Sequence, residues 1–354
     1  MYGRATFSPR DIELPIVQAP LAGGPSTTAL AAAVSNAGGL GFLAAGYKTA
    51  DAVRADLAEL RSLTDRPFGV NLFAPPVAED RTVAARRYAD TLAGEAERYA
   101  VAAGEPRRDD DGWDAKLELV AAERVPVASF TFGCPSAAAI RALHGAGTAA
   151  WVTVTTTGEA VAARDAGADA LVVQGVEAGG HRGSYDEESP GEVGLLALLQ
   201  LVAAAVDLPL VASGGIATGR AVAAVLCAGA AAAQLGTAFM RTPEAGTSQA
   251  HRQLLGTDAS TALTRAFTGR PARGIVNRFM REHEAAAPAG YPDVHYVTAP
   301  LRAAARERGD ADGINLWAGQ AHPLAEELPA GELVRRLGRE AAQALGEAHG
   351  RLEP

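Results

Sequence analysis

Only two cysteines, Cys134 and Cys227, occur in 354 residues, so there is no disulfide framework, and no Cys/His cluster has zinc spacing. A reducing cytoplasm and no metal site are the expectation. Lysine is equally scarce, with Lys48 and Lys116 alone, and none follows a glycine-rich turn as in nucleotide triphosphatases. Basic excess is also missing. With 32 Lys+Arg against 41 Asp+Glu, the net charge of -9 excludes a general nucleic-acid or anionic-membrane surface. Asp11 and Glu13 interrupt the N-terminus before an apolar core forms, so no secretory leader is expected. Long apolar runs are lacking too, apart from the charge-free stretch Ala221 to Met240. Its alanines and glycines read as a helix to about Ala228, a turn at Gly229 and a buried strand from Ala232, not as a membrane span.

What is present is a series of short apolar, β-branched runs: Pro15–Ala19, Gly41–Ala45, Phe68–Phe73, Val125–Phe130, Ala150–Thr155, Ala170–Gln174, Pro209–Ser213 and Ala232–Thr237. Near-continuous apolarity suits parallel strands covered on both faces. Alanine-rich helical patterns separate most of them, at Thr27–Asn36, Ala50–Leu63, Ser136–Leu143, Gly158–Asp165, Val193–Ala205 and Thr218–Cys227. Eight such units predict an α/β (β/α)8 TIM barrel over residues 1–243, with an open doubly wound sheet as the alternative. The segment Gly39-Leu40-Gly41-Phe42-Leu43-Ala44 matches a dinucleotide fingerprint in letters. It precedes a strand instead of following one, so it is a turn. Residues 80–123 form an insertion after strand three that includes the charge run Glu105 to Asp111, read as a solvated loop. Residues 244–354 form a helical extension that packs on or caps the barrel.

Polar residues collect where strands finish, which is where barrel enzymes keep their chemistry. The richest end is Gln174-Gly175-Val176-Glu177-Ala178-Gly179-Gly180-His181, with glycines for close backbone approach and a histidine able to move protons near neutral pH. Strand seven ends Ser213-Gly214-Gly215-Ile216, followed by Ala217-Thr218-Gly219 at a helix start, and strand eight ends Gln234-Leu235-Gly236-Thr237. Consecutive turns of this kind predict a phosphate pocket of backbone amides plus the Thr237 hydroxyl. Asn71 and Gln174 are amides suited to a heteroaromatic ring, and the small residues from Ala19 to Gly24, Ala22 among them, let a ring lie on backbone. Ring, linker and phosphate together suggest FMN, with His181 above the ring as proton donor or acceptor. The remaining histidines read as surface or structural, and Cys134 as a buried inert thiol.

These motifs, with Gly69-Val70-Asn71-Leu72-Phe73, Thr268-Gly269-Arg270-Pro271-Ala272-Arg273-Gly274 and Asn315-Leu316-Trp317-Ala318-Gly319-Gln320, resemble the nitronate monooxygenases, formerly called 2-nitropropane dioxygenases. The resemblance covers nearly the whole chain. It implies a TIM barrel with noncovalent FMN, His181 as catalytic base, and Asn71, Gln174, Gly179, Gly219 and the Gln234 to Thr237 turn in cofactor positions; Ala22, Gly180, Ser213 and Gly215 are further candidate cofactor residues. The implied reaction converts alkyl nitronates, or nitroalkanes, with O2 to carbonyl compounds and nitrite. The Gln-Gly-x-Glu-Ala-Gly-Gly-His block is shared with flavin-dependent enoyl-ACP and quinone reductases, so an NAD(P)H-dependent reductase is the alternative. A barrel that binds a phosphorylated ligand without catalysis is a third class. The chain departs from the family at Thr131, where members often carry histidine. A monomer or homodimer is expected.

Overall fold

The computed structural model describes residues 6–75 and 80–352. Among these, eight parallel strands form one sheet: β1 (Ile16–Gln18), β2 (Gly41–Ala44), β3 (Phe68–Phe73), β4 (Val127–Thr131), β5 (Ala149–Val154), β6 (Ala170–Gln174), and, beyond a short β7 (Gly180–His181), β8 (Leu210–Ser213) and β9 (Ala232–Leu235). The order β1-β9-β8-β6-β5-β4-β3-β2 closes through a parallel bridge between Val17 and Leu40, which gives the predicted (β/α)8 barrel. Predicted strands seven and eight are β8 and β9. Five intervening helices start on Thr27, Thr49, Ser136, Thr156 or Thr218, whose hydroxyls accept an N–H of the first turn. The run Ala221 to Met240 divides as expected into helix Gly219–Cys227, a turn with Gly229 at φ +97°, and β9. No helix among the described residues is long and apolar enough to cross a membrane.

Strand periodicity decides what faces the barrel axis. Val17, Val127, Trp151, Val172, Val211 and Ala232 fill the interior with Phe42 and Ile12, while their neighbours such as Leu171 and Val173 pack outward against the helices. Two residues further along each strand the inward position becomes Ala19, Ser129, Thr153, Gln174, Ser213 or Gln234, with Asn71 beside Ser129 on β3. The carboxyl end of the barrel is therefore a polar ring above an apolar plug.

The insertion and the extension pack on each other. Helices Thr82–Thr91 and Ala93–Tyr99 lie against helix Asp293–Glu307, sharing a core of Tyr88, Phe267, Phe279, Val297 and Leu301. Buried Glu95 accepts both guanidinium nitrogens of Arg278 and approaches His283 at 3.3 Å. The charge run is a loop exposed at Glu105, Arg107, Arg108 and Asp110, as expected, but Asp109 and Asp111 are anchored. Asp109 accepts from the Tyr296 hydroxyl at 2.8 Å, and Asp111 accepts from the Tyr47 amide at 2.8 Å and pairs with buried Lys116 at 2.7 Å. Opposite charges and tyrosine donors meet it from other segments, which no local pattern reports. The extension has helices, ending in Ala330–Leu352, and also two strands, β10 (Thr261–Thr264) and β11 (Ala272–Ile275). β11 pairs with β7, so the extension is stitched to the His181 loop.

Candidate active site

The polar ring floors a cavity of about 630 Å³. Asn71, Ser129, Thr153, Gln174, Ser213 and Gln234 all line it. Within the floor, Asn71 Nδ2 donates to Ser129 Oγ at 2.9 Å and Thr131 Oγ1 at 3.0 Å, and Gln234 Nε2 donates to Ser213 Oγ at 3.2 Å. Thr131, the departure at the end of strand four, thus serves as a neutral acceptor that orients Asn71. One edge is formed by Ala19 to Pro25, including Ala22.

Beside that edge, since β9 pairs with β1, backbone turns Ser213 to Ala217 and Gly236–Thr237 line the cavity. Gly214 and Gly215 hold φ of +117° and +68°, values open to glycine and strained for other residues. Thr237 Oγ1 accepts from the Gly319 amide at 3.0 Å, which leaves its own hydrogen free to donate. Two predicted positions are elsewhere. Gly219 does not line the cavity: its amide donates to Glu340 of the C-terminal helix at 3.1 Å, and an added Cβ would meet Glu340 Cβ at 2.2 Å. That helix N-terminus is committed to packing, so it adds no donor to the pocket. Leu235 is buried toward the helices, because it lies one residue out of phase with Gln234.

His181 sits on β7, and its loop is pinned from several directions. Gln174 Nε2 donates to the His181 carbonyl at 3.1 Å, and Gln174 Oε1 accepts from the Gly183 amide at 2.8 Å. Gln174 therefore lines the cavity while also fixing the histidine. Buried Arg182 donates to the carbonyls of Gly175 and Gln174 at 2.6 and 3.1 Å. Glu177 turns away and accepts from the Leu195 amide at 3.0 Å, capping the next helix. Gly179 is glycine because a Cβ would lie 2.4 Å from the Gly319 amide. Gly180, at φ +74°, lines the cavity beside it.

The His181 ring opens only into the cavity, with Nε2 at 2.9 Å from Thr268 Oγ1. Thr268 in turn reaches the Arg270 carbonyl at 3.3 Å, so its single hydrogen decides which imidazole nitrogen stays an acceptor. Phe132, Tyr291 and Trp317 surround the ring at centroid distances of 5.6, 5.9 and 5.5 Å. Burial, aided by the charges of Arg270 and Arg302, pushes His181 down to about 3, so the ring is neutral across the physiological range. Phe132 holds φ +78°, a strained conformation for a non-glycine residue, with the Arg270 guanidinium 4.1 Å above its ring.

The far wall comes from the extension, and composition gave little sign of it. Helix Asp293–Glu307 presents His295, Ala299, Arg302 and Arg306 to the cavity, at helical spacings of four, three and four. His295 stacks on Tyr47 at 4.2 Å, and burial beside Arg302 pushes it down to about 2. His251 and His322 line the same cavity, so three histidines expected at the surface or in structural roles belong to this wall. Thr268, Asn315 and Trp317 lay inside recognised motifs. Tyr47, His295 and Arg302 carried no motif, only the helical period of the last two. Cys134 is half-buried with its thiol pushed up by burial, in line with an inert role.

No Asp or Glu lines the cavity among the described residues, although the chain carries a net charge of -9. Arg302 and Arg306 are its charged side chains. The volume lies within the ordinary range for small-molecule sites, roughly 300–1,000 Å³. A carboxylate-free pocket with an amide floor at one end and a glycine turn plus a free threonine hydroxyl at the other fits a flat, phosphate-bearing ligand such as FMN.

A sequence profile of the family described as nitronate monooxygenase matches residues 10–340. A nitronate monooxygenase of Pseudomonas aeruginosa is 44% identical over 92% of this chain and 95% of its own length, and one of Paraburkholderia phytofirmans is 40% identical over 97% and 96%. Among solved structures, nitroalkane oxidase from Streptomyces ansochromogenes is 55% identical with a TM-score of 0.92, covering 95% of this chain and 98% of that one. FabK from Thermotoga maritima is 28% identical with a TM-score of 0.76, covering 97% of both chains.

Proposed function

The chain belongs to the nitronate monooxygenase family and is an oxidoreductase, and from that premise we propose that it oxidises alkyl nitronates, and nitroalkanes, with FMN and O2 to carbonyl compounds and nitrite. One observation carries the reading: a neutral histidine opens into a cavity that no carboxylate lines among the described residues and that is also lined by glycine turns suited to phosphate. Bound there, FMN would supply one-electron redox chemistry between the nitronate and O2. The chain's own task is orientation and proton handling. The amides of Asn71 and Gln174 would hold the FMN ring, and the turns at Gly214–Gly215 and Gly236–Thr237 its phosphate.

With a neutral nitroalkane, His181 removes the proton on the carbon bearing the nitro group. In this step Thr268, whose own hydrogen goes to the Arg270 carbonyl, accepts from Nε2–H, which fixes the tautomer and leaves Nδ1 as the basic nitrogen. Phe132, Tyr291 and Trp317 pack around the ring and shield it from water. A preformed nitronate needs no such step.

Anaerobic mixing of purified holoprotein tests the reading. Flavin absorbance should bleach with propan-2-nitronate and stay unchanged over the same interval with NADH or NADPH. Bleaching by a nicotinamide alone would assign the site to a reductase, and a protein purified without flavin would refute both.

A further inference from the structure

Arg302 is a buried guanidinium with no counter-charge among the described residues. Its Nε donates to Thr298 Oγ1 at 2.9 Å, Nη1 to Asn315 Oδ1 at 3.3 Å, and Nη2 to His295 Nδ1 at 3.2 Å and the His295 carbonyl at 2.9 Å. Every one of these acceptors is neutral, and the side chain is 7% exposed. Burying a cation without an anion is costly. Yet Arg302 lines a cavity that contains no carboxylate. Five N–H groups against four bonds leave one Nη1 hydrogen uncommitted. Because arginine only donates, His295 Nδ1 must accept, which puts the imidazole proton on Nε2 as a second donor in the same wall.

We propose that Arg302 is the anion-binding residue of this cavity, taking the planar two-oxygen end of a nitronate, or of a nitro group acquiring that charge. The inference rests on the nitronate reading of the site and names the residue that recognises the substrate. Position separates this anion from a cofactor phosphate. Arg302 is bonded to His295, whose ring stacks on Tyr47 and lies 6.4 Å from Tyr291, and Tyr291 lies 5.9 Å from His181. Arg302 thus belongs to the proton-handling side, whereas the phosphate turn is built on the ends of β8 and β9. A guanidinium whose other N–H groups are committed holds its free hydrogen in one direction, which a flexible ammonium does not.

The consequence for proton removal is direct. The C–H bond breaks, its proton passes to His181, and its electron pair spreads onto the nitro oxygens held by Arg302. Burial is the main reason His181 stays deprotonated, and Arg270 and Arg302 add to it; the new negative charge offsets one of those two cations, so the base gains strength as the charge it creates appears.

Sodium nitrate, a planar oxyanion that is not a substrate, is the probe. It is titrated into holoprotein by calorimetry and by the change in visible flavin absorbance, with FMN content measured on each sample. Arg302→Gln should weaken nitrate at least about tenfold with FMN content unchanged, as for loss of a charged hydrogen-bond donor. Arg302→Lys, which keeps charge and loses the fork, should weaken it about threefold. Arg141→Gln on an outer helix should leave it unchanged. Absence of nitrate binding by the unmodified protein, or equal affinity in the unmodified protein and both Arg302 variants, would overturn the assignment. Loss of FMN with nitrate affinity intact would also overturn it, by placing Arg302 on the cofactor phosphate. Should nitrate binding depend on Arg302 in a protein that does not oxidise nitronates, the anion site stands and only the reaction falls.

Discussion

The floor of the cavity and its far wall are made in opposite ways. The floor uses Asn71, Ser129, Thr153, Gln174, Ser213 and Gln234, all neutral and all fixed by barrel register. The wall carries His251, His295, His322, Arg302 and Arg306, on segments that follow the barrel in sequence. His181 stands between them, on a strand that leaves the barrel to pair with the extension. The contrast teaches a division of labour. Strand ends offer shape and neutral hydrogen bonds, while the charged side chains come from elements added to the barrel.

Acid should strike the wall and spare the floor, and this is the largest effect expected. Burial holds His181 down to about 3, His251 to about 4 and His295 to about 2, each below an unfolded value of roughly 6.5. The unfolded chain therefore takes up protons first. Stability is full above about pH 6.5 and falls as pH drops below it, by up to about 1.4 kcal/mol per pH unit for each group. Urea midpoints at pH 7 and about pH 5 test this; equal midpoints would mean the histidines are not buried neutral.

The foundation of the wall is the next point at which to break it. Glu95→Gln leaves Arg278 with only Glu282, and should cost about 3 kcal/mol, the lower end for a buried pair because Arg278 is partly exposed. Urea unfolding reads the cost; a loss under about 1 kcal/mol would show that the brace is not structural.

Gly179→Ala attacks the seam between floor and wall. Its Cβ would sit 2.4 Å from the Gly319 amide, so overpacking of about 1–3 kcal/mol is expected, with weaker FMN retention. Unchanged flavin content after gel filtration would count against the seam. Glu177→Ala should have the smallest effect, about 1 kcal/mol from a lost helix cap. Its kcat should change little; a large fall would move Glu177 into the chemistry.

The same division explains what the sequence made legible. Eight strands and their polar ends could be read because period-two burial and glycine turns are local properties of the chain. Ala22, Asn71, Gln174, Gly179, Gly180, Ser213, Gly215, Gln234, Gly236 and Thr237 do come together with His181 around one cavity. Gly219 misled because a glycine at a helix start looks the same whether a phosphate or Glu340 approaches it. Leu235 misled by one residue of phase. Tyr47, His295 and Arg302 meet through packing between the end of β2, the insertion and a helix some 250 residues later. Such a meeting leaves no local pattern beyond an amphipathic helix face.

His181→Asn, assayed side by side on a neutral nitroalkane and its preformed nitronate, tests the central claim most directly. The account predicts that turnover of the nitroalkane falls by about 10²–10⁴-fold, while turnover of the nitronate stays within about tenfold of the unmodified protein. Equal loss on both substrates, with flavin content preserved, would contradict it.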